Sequence, residues 1–466
     1  MSVLRTAGPR FLKTLKPSFR GFATSTSDWL LSYPQTQVST LDNGLRVASE
    51  KSSGDTATVG VWIDAGSRFE TPETNGVAHF LEHMSFKGTS KRSRVQLEKE
   101  VENLGGHLNA YTSREQTVFY AKVNKKDVPQ AMDILADMLT DSQFTEDVVQ
   151  SERDVILREM QEVNSQLDEV IFERLHETAY RGTMLGRTIL GPEENIRSIS
   201  RAQIADYVSA HYTAPRMVVA GAGAVDHNEL VQLSDKLLGK VPSTGTRPVA
   251  LEPAQFTGSD IRIRYDSMDL AHIAYAFPTT GWCDPDTFPL LVIASLLGNY
   301  DKNVNGSVHS SSGLVSNIAS GNLAHSLSTF NTQYSDTGLF GVYATAEQYD
   351  LNQLMHEVTY AMTALCYDVD EDRLTSAKNN LKMNMLSQLD GSTQICEEIG
   401  RQMLTYGRRM HPSELLSRID AVDVNAVKLC ANRFFYDTDF ALAAIGPIEE
   451  LPDYNWLRRK TFWLRY

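Results

Sequence analysis

The chain has 466 residues, 42% of them hydrophobic, and its 58 acidic against 44 basic side chains give a formal charge of −14. That is enough apolar material for a large core split over two or more domains, and the acidic balance argues against nucleic acid as a partner and for a cationic one. No apolar run reaches the length of a bilayer span, the longest lying near residues 289–298.

Residues 1–27 carry Arg5, Arg10, Lys13, Lys16 and Arg20, several Ser and Thr, and no acid before Asp28. A basic, acid-free, hydroxyl-rich start is the pattern of a mitochondrial transit peptide. It is assigned to residues 1–22, because Arg20-Gly21-Phe22-Ala23 resembles the matrix cleavage pattern and puts the mature start near Ala23. Without those five cations the formal charge moves from −14 to −19.

Further along, residues 58–65 read as a strand, 76–86 as a helix and 118–123 as a second strand. Within the helix stands His79-Phe80-Leu81-Glu82-His83. Positions i and i+4 share one helix face, so both imidazoles can meet one metal ion while Glu82 stands beside them. The order is the inverted His-x-x-Glu-His of zinc hydrolases. Neutral imidazole suits Zn2+, and a carboxylate that is not a ligand can take a proton from an activated water. A third ligand is required.

Helical periodicity over Thr145 to about Tyr180 predicts one long helix with an apolar stripe of Ile156, Val163, Leu167 and Val170. Continued backwards, the stripe includes Glu152 and Glu159, and carboxylates there are costly to bury without a cation or hydrogen bonds. Glu159 is therefore the expected third ligand of one Zn2+ per chain, and Glu152 the carboxylate behind it that orients the site. His107 reads as a packing or hydrogen-bonding residue, since three protein ligands and water complete a catalytic zinc site. Gly221 and Gly223 follow a strand without a dinucleotide fingerprint, so no nucleotide is assigned.

The rest of the chain has the marks of a duplicated unit. Ser165-Gln166-Leu167-Asp168 recurs 222 residues later as Ser387-Gln388-Leu389-Asp390, and the same offset carries the helix-then-strand segment 202–225 onto 424–447. Residues 242–248 have the composition of a linker. The expected architecture is α+β, with homologous domains at 28–241 and 259–466 and a linker at 242–258. Each domain is expected to be a mainly antiparallel sheet with helices packed mostly on one face. The offset takes Glu159 onto Leu381, so only the first domain is expected to hold metal. The Ser-, Gly- and Asn-rich stretch 300–329 reads as partly mobile, a surface connection rather than a substrate-contacting loop. Cys283, Cys366, Cys396 and Cys430 read as buried thiols of a reducing compartment.

The motif His79-Phe80-Leu81-Glu82-His83 with Glu159 downstream resembles the pitrilysin-type (M16) zinc metallopeptidases. Phe86-Lys87-Gly88-Thr89, the run Leu108 to Glu115 and the run Leu185 to Pro192 are similar to the mitochondrial processing peptidase branch of that family, over nearly the whole chain after the leader. This branch is closely related to the core subunits of the cytochrome bc1 complex.

The resemblance implies a zinc endopeptidase that removes N-terminal presequences from imported precursors in the mitochondrial matrix. It implies a heterodimer with a processing peptidase α subunit around a polar cavity, and basic presequence peptides as substrates. It further implies that the edge strand with Asn109, Ala110 and Tyr111 binds the peptide, that Glu169 and Glu173 read an arginine near the cleavage site, and that Phe86 lines the pocket for the residue after the cut. On the residues alone, Glu169 and Glu173 also read as one solvated helix face and Phe86 as core. A second role stays open: a structural core subunit of the bc1 complex at the matrix face of the inner membrane, alone or together with hydrolysis. Intact His79, Glu82, His83 and Glu159 favour the enzyme, because a scaffold has no need of buried charge.

Overall fold

Strand β3 (Thr56–Ile63) reads Thr-Ala-Thr-Val-Gly-Val-Trp-Ile, rich in β-branched and aromatic side chains, and all but its first residue are buried. A strand apolar on both faces needs cover on both faces, and the computed structural model, which describes residues 33–304 and 307–462, shows where that cover comes from. The expected transit peptide at 1–22, with its cleavage point near Ala23, lies outside the described residues.

The first sheet is built from β1 (Gln37–Thr40), β2 (Arg46–Lys51), β3, β4 (His107–Thr112), β5 (Thr117–Asn124) and β6 (Met217–Gly223), in the order β1-β2-β6-β3-β5-β4. All its pairs are antiparallel except β2 with β6. The second sheet is built from β7 (Ser259–Arg264), β8 (Ala271–Thr279), β9 (Tyr300–Asp301), β10 (Ser326–Gln333), β11 (Gly338–Ala346) and β12 (Ala441–Gly446), in the order β7-β12-β8-β11-β10-β9. Here only β7 with β12 is parallel. The run β2-β6-β3-β5-β4 thus reappears as β7-β12-β8-β11-β10 with its parallel pair in the same place, so the α+β repeat expected from the sequence is a repeat of topology.

One face of the first sheet, with Val47, Val59, Val61, Phe119 and Val219, packs on helices of its own half, including Val77–Ser85, Val128–Thr140 and His227–Leu238. The opposite face, with Ala48, Trp62, Val118, Val218 and Ala220, is covered by Ile395, Cys396, Ile399 and Met403 of helix Ser392–Thr405. The exchange is reciprocal. Ile171, Leu175 and Ala179 of helix Leu167–Ala179 cover Ala274, Ala276, Leu339, Ala441 and Ala443 of the second sheet. Each half therefore keeps several helices on one face of its sheet and receives one on the other.

This exchange corrects the single long helix expected over 145–180. Glu146–Val163 ends at Asn164, where the Ser165 hydroxyl donates to the Glu162 carbonyl at 2.6 Å, and a new helix starts at Leu167. The polar run Asn164-Ser165-Gln166 breaks the rod because its two ends face different sheets, Ile156 one and Ile171 the other. Two further expectations are corrected. The described residues of the stretch 300–329 include β9, helix Gly313–Gly321 and the start of β10, with Leu314, Val315 and Ile318 in the core. Cys283 is exposed, whereas the other three cysteines are buried.

Residues 242–258 contain no helix or strand. Beside them, the fully buried Arg68 side chain ties the halves together: it pairs with Glu115 at 2.7 Å and, bidentately, with Asp336 at 2.7 and 2.8 Å, and it donates to the Glu252 carbonyl at 2.8 Å. Among the described residues no helix is long and apolar enough to cross a membrane.

Candidate metal centre

The helix Val77–Ser85 begins at Gly76, whose φ of +103° suits glycine, and a Cβ there would lie 2.7 Å from the Leu190 carbonyl oxygen. No side chain at the N-cap satisfies the first helical N–H groups. Glu70 does so from six residues upstream. Its Oε1 accepts from Ala78 N at 2.7 Å, and its Oε2 accepts from Gly76 N at 2.9 Å and from Asn75 Nδ2 at 2.8 Å. Burial pushes this carboxyl up to about 8, while the three donors and the helix N-terminus pull it back towards the charged form.

One turn in, His79 and His83 present their rings side by side, with centroids 4.8 Å apart. Helix Glu146–Val163 crosses this face and delivers Glu159 between them, with Oε1 3.6 Å from His79 Nε2 and Oε2 2.9 Å from His83 Nε2. The ligand atoms of the three residues all lie within 4.8 Å of one another. Two imidazoles and a carboxylate converging on one point fit the donor set of a catalytic zinc site. Hydrogen bonds from His79 and His83 hold the Glu159 carboxyl well below its ordinary range. Against the desolvation that burial imposes, hydrogen bonds to Glu152 and Glu159 raise His83 to about 9.

Glu152 sits behind His83, with Oε2 3.6 Å from Nδ1, and its other oxygen pairs with Lys87 Nζ at 2.8 Å. A carboxylate on the far nitrogen of a ligating histidine fixes its ring and raises its basicity. Although desolvation opposes ionisation, His83 and Lys87 keep the Glu152 carboxyl below its usual value.

Of the three, His79 lines a 620 Å3 cleft whose walls also include Asn75, Glu82, Tyr111, Glu169 and Glu173. Glu82 therefore faces the same space as His79. Glu173 is already engaged: its Oε1 accepts from the buried Arg114 Nη2 at 2.9 Å. Glu169 has no ion pair among the described residues. Asn109, Ala110 and Tyr111 lie on β4, the outer strand of the first sheet, and Ala110 N donates to Asn109 Oδ1 at 2.9 Å. Phe86 does not line the cleft. Its ring leans on Phe119, 6.5 Å between centroids, against the core of the first half. His107 is exposed at the start of β4.

In the second half, matching the helix ends Val163 and Ser387 puts Met383 opposite Glu159, two residues beyond the Leu381 of the sequence offset. Neither is a metal ligand, and helix Thr287–Leu297, which follows β8 as the motif helix follows β3, contains no histidine. Three residues of the first centre escaped the sequence reading. Lys87 had a signal, four residues past His83. Glu70 had none beyond being an acid near the motif, and Glu397, which accepts the Tyr111 hydroxyl from across the chain, had none at all.

Residues 46–193 match the insulinase (peptidase family M16) profile, and residues 198–381 match the peptidase M16 inactive domain. The chain is 52% identical to the probable mitochondrial-processing peptidase subunit beta of Arabidopsis thaliana over 99% of this chain and 87% of that protein. It is 53% identical to the mitochondrial-processing peptidase subunit beta of Mus musculus over 94% and 89%. With cytochrome b-c1 complex subunit 1 of Mus musculus it shares 46% identity over 97% and 94%. A chain of complex III2 from Candida albicans, solved with Inz-5 bound, has the same fold, with a TM-score of 0.83 at 24% identity over 92% of this chain and 100% of that one. The chain belongs to peptidase family M16, the insulinase family of metallopeptidases.

Proposed function

We propose that this chain is the zinc-bearing β subunit of a mitochondrial processing peptidase, an endopeptidase that removes basic N-terminal presequences from precursors in the matrix. The observation that carries the reading is the convergence of His79, His83 and Glu159, with His79 and Glu82 lining one cleft. The 52–53% identity to proteins named as such subunits supports it. When bound, zinc supplies Lewis acidity, lowering the pKa of a water towards about 7 and polarising the scissile carbonyl.

The chain's own residues do the rest. His79, His83 and Glu159 hold the ion, and Glu152, neutralised by Lys87, keeps the His83 ring oriented. Glu82 takes the proton of the attacking water and passes it to the leaving amine. The peptide adds as a strand beside β4, taking over the Ala110 N–H now held by Asn109, and backbone pairing of that kind tolerates varied sequence. Glu169, which lines the cleft and has no ion pair among the described residues, receives a basic side chain, while Glu173, already paired with Arg114, adds little net charge. An α subunit closes the cavity from the open side.

Replacing Glu82 by Gln, in complex with the α subunit, is expected to lower presequence cleavage by about a thousandfold while metal content stays at one zinc per chain. Near-normal cleavage by that variant would remove Glu82 from the mechanism.

The 46% identity to a bc1 complex subunit supports a second role, as a core subunit of that complex at the inner membrane. Detergent extraction of mitochondria followed by sizing separates the two. Co-migration with cytochromes b and c1 establishes the core role, and cleavage activity in that peak establishes both.

A further inference from the structure

Strand β4 is hydrogen-bonded to the sheet on one side only, through β5. An edge strand that receives a peptide has to be held in register, or the cost of ordering it is subtracted from binding. The row of cross-strand neighbours Val218, Trp62, Val118 and Tyr111 runs across the sheet and ends at this edge. It faces helix Ser392–Thr405, contributed by the half without metal ligands. The helix lies so close that a Cβ on Gly400 would fall 2.1 Å from the Trp62 indole. At the end of the row the Tyr111 hydroxyl donates to Glu397 Oε1 on the same helix. Burial, then the neighbouring Glu397 charge, hold the phenol protonated, so it stays a donor.

We propose that Glu397 is a positioning residue for peptide binding: it anchors β4 from behind through Tyr111, so that the half without metal ligands sets the docking edge of the half that has them. The inference rests on the reading of β4 as the docking strand. Glu397 does not touch the metal-binding group. Its effect reaches the substrate through the strand, and it therefore belongs in KM.

The test uses the chain assembled with its α subunit, as wild type and as Tyr111→Phe, Glu397→Ala, Glu397→Gln and the double variant Tyr111→Phe/Glu397→Ala. Either loss of the pair should raise KM for a presequence peptide about fivefold and leave kcat within about twofold, and the double variant should be no worse than the worse single one. Glu397→Gln keeps an acceptor oxygen at the same volume and should fall between wild type and alanine. Hydrogen–deuterium exchange should speed up over residues 107–112 in Glu397→Ala and stay unchanged over 77–85. Unchanged exchange on β4, or additive effects in the double variant, would overturn the proposal. A loss that persists in the Tyr111→Phe background and depends on an arginine in the peptide would also overturn it, in favour of Glu397 reading substrate charge directly. If the wild-type complex does not cleave at all, the peptidase reading fails, and the exchange data still decide whether Glu397 holds the strand.

Discussion

His79 and His83 were legible as ligand candidates because an i, i+4 pair needs only helix geometry, and Glu159 because an acid on an apolar stripe asks for a cation. Glu70 was not legible, since nothing in its neighbourhood says that its carboxylate folds back onto the next helix. Replacing Glu70 by Ala leaves two backbone N–H groups and the Asn75 amide buried without their acceptor, and should cost about 2 kcal/mol of stability, read as a lower Tm. His83 sets a pH dependence with a definite sign. Its pKa is raised from 6.5 to about 9, so in protein stripped of metal its stabilising contribution is complete below 6.5 and lost as pH rises through about 9. A zinc ion held by this group would compete with that proton. Apparent affinity for zinc is therefore expected to climb about tenfold per pH unit between the two values, with one proton released on binding, measurable by chelator competition and by calorimetry in buffers of different ionisation enthalpy. A pH-independent affinity would show that His83 is already neutral in the stripped protein.

At the scale of elements, the strands at 58–65 and 118–123 and the helix at 76–86 lie within two residues of β3, β5 and Val77–Ser85, because their patterns are local. The helix over 145–180 was misread because an apolar stripe reports that a face is buried and not which sheet buries it. Ile156 and Val170 belong to one continuous stripe and pack into two different cores. Gly400 is the counterpart of that lesson, a glycine in mid-helix whose reason is the Trp62 ring beneath it. Gly400→Ala should force the helix off the sheet and destabilise the protein by about 2 kcal/mol, with a matching fall in Tm. Unchanged stability would mean that the helix can shift there at little cost.

For the whole molecule, the decisive contacts join residues far apart in the chain. The fully buried Arg68 side chain meets the exposed Asp336 across 268 positions, and removing it leaves Glu115 and Asp336 without their cation. Arg68→Met is expected to cost about 3 kcal/mol and to speed proteolysis within 242–258, the segment without helix or strand beside the broken network. By itself the sequence determined the α+β repeat, the helix that carries the two histidines and the acid that meets them, since periodicity and spacing are properties of neighbouring residues. Only the tertiary structure decided that each half lends a helix to the other's sheet, that Glu173 is spent on Arg114 while Glu169 is not, and that Glu397 reaches Tyr111. These depend on which buried surfaces meet, and a buried surface has no partner until the whole chain has folded.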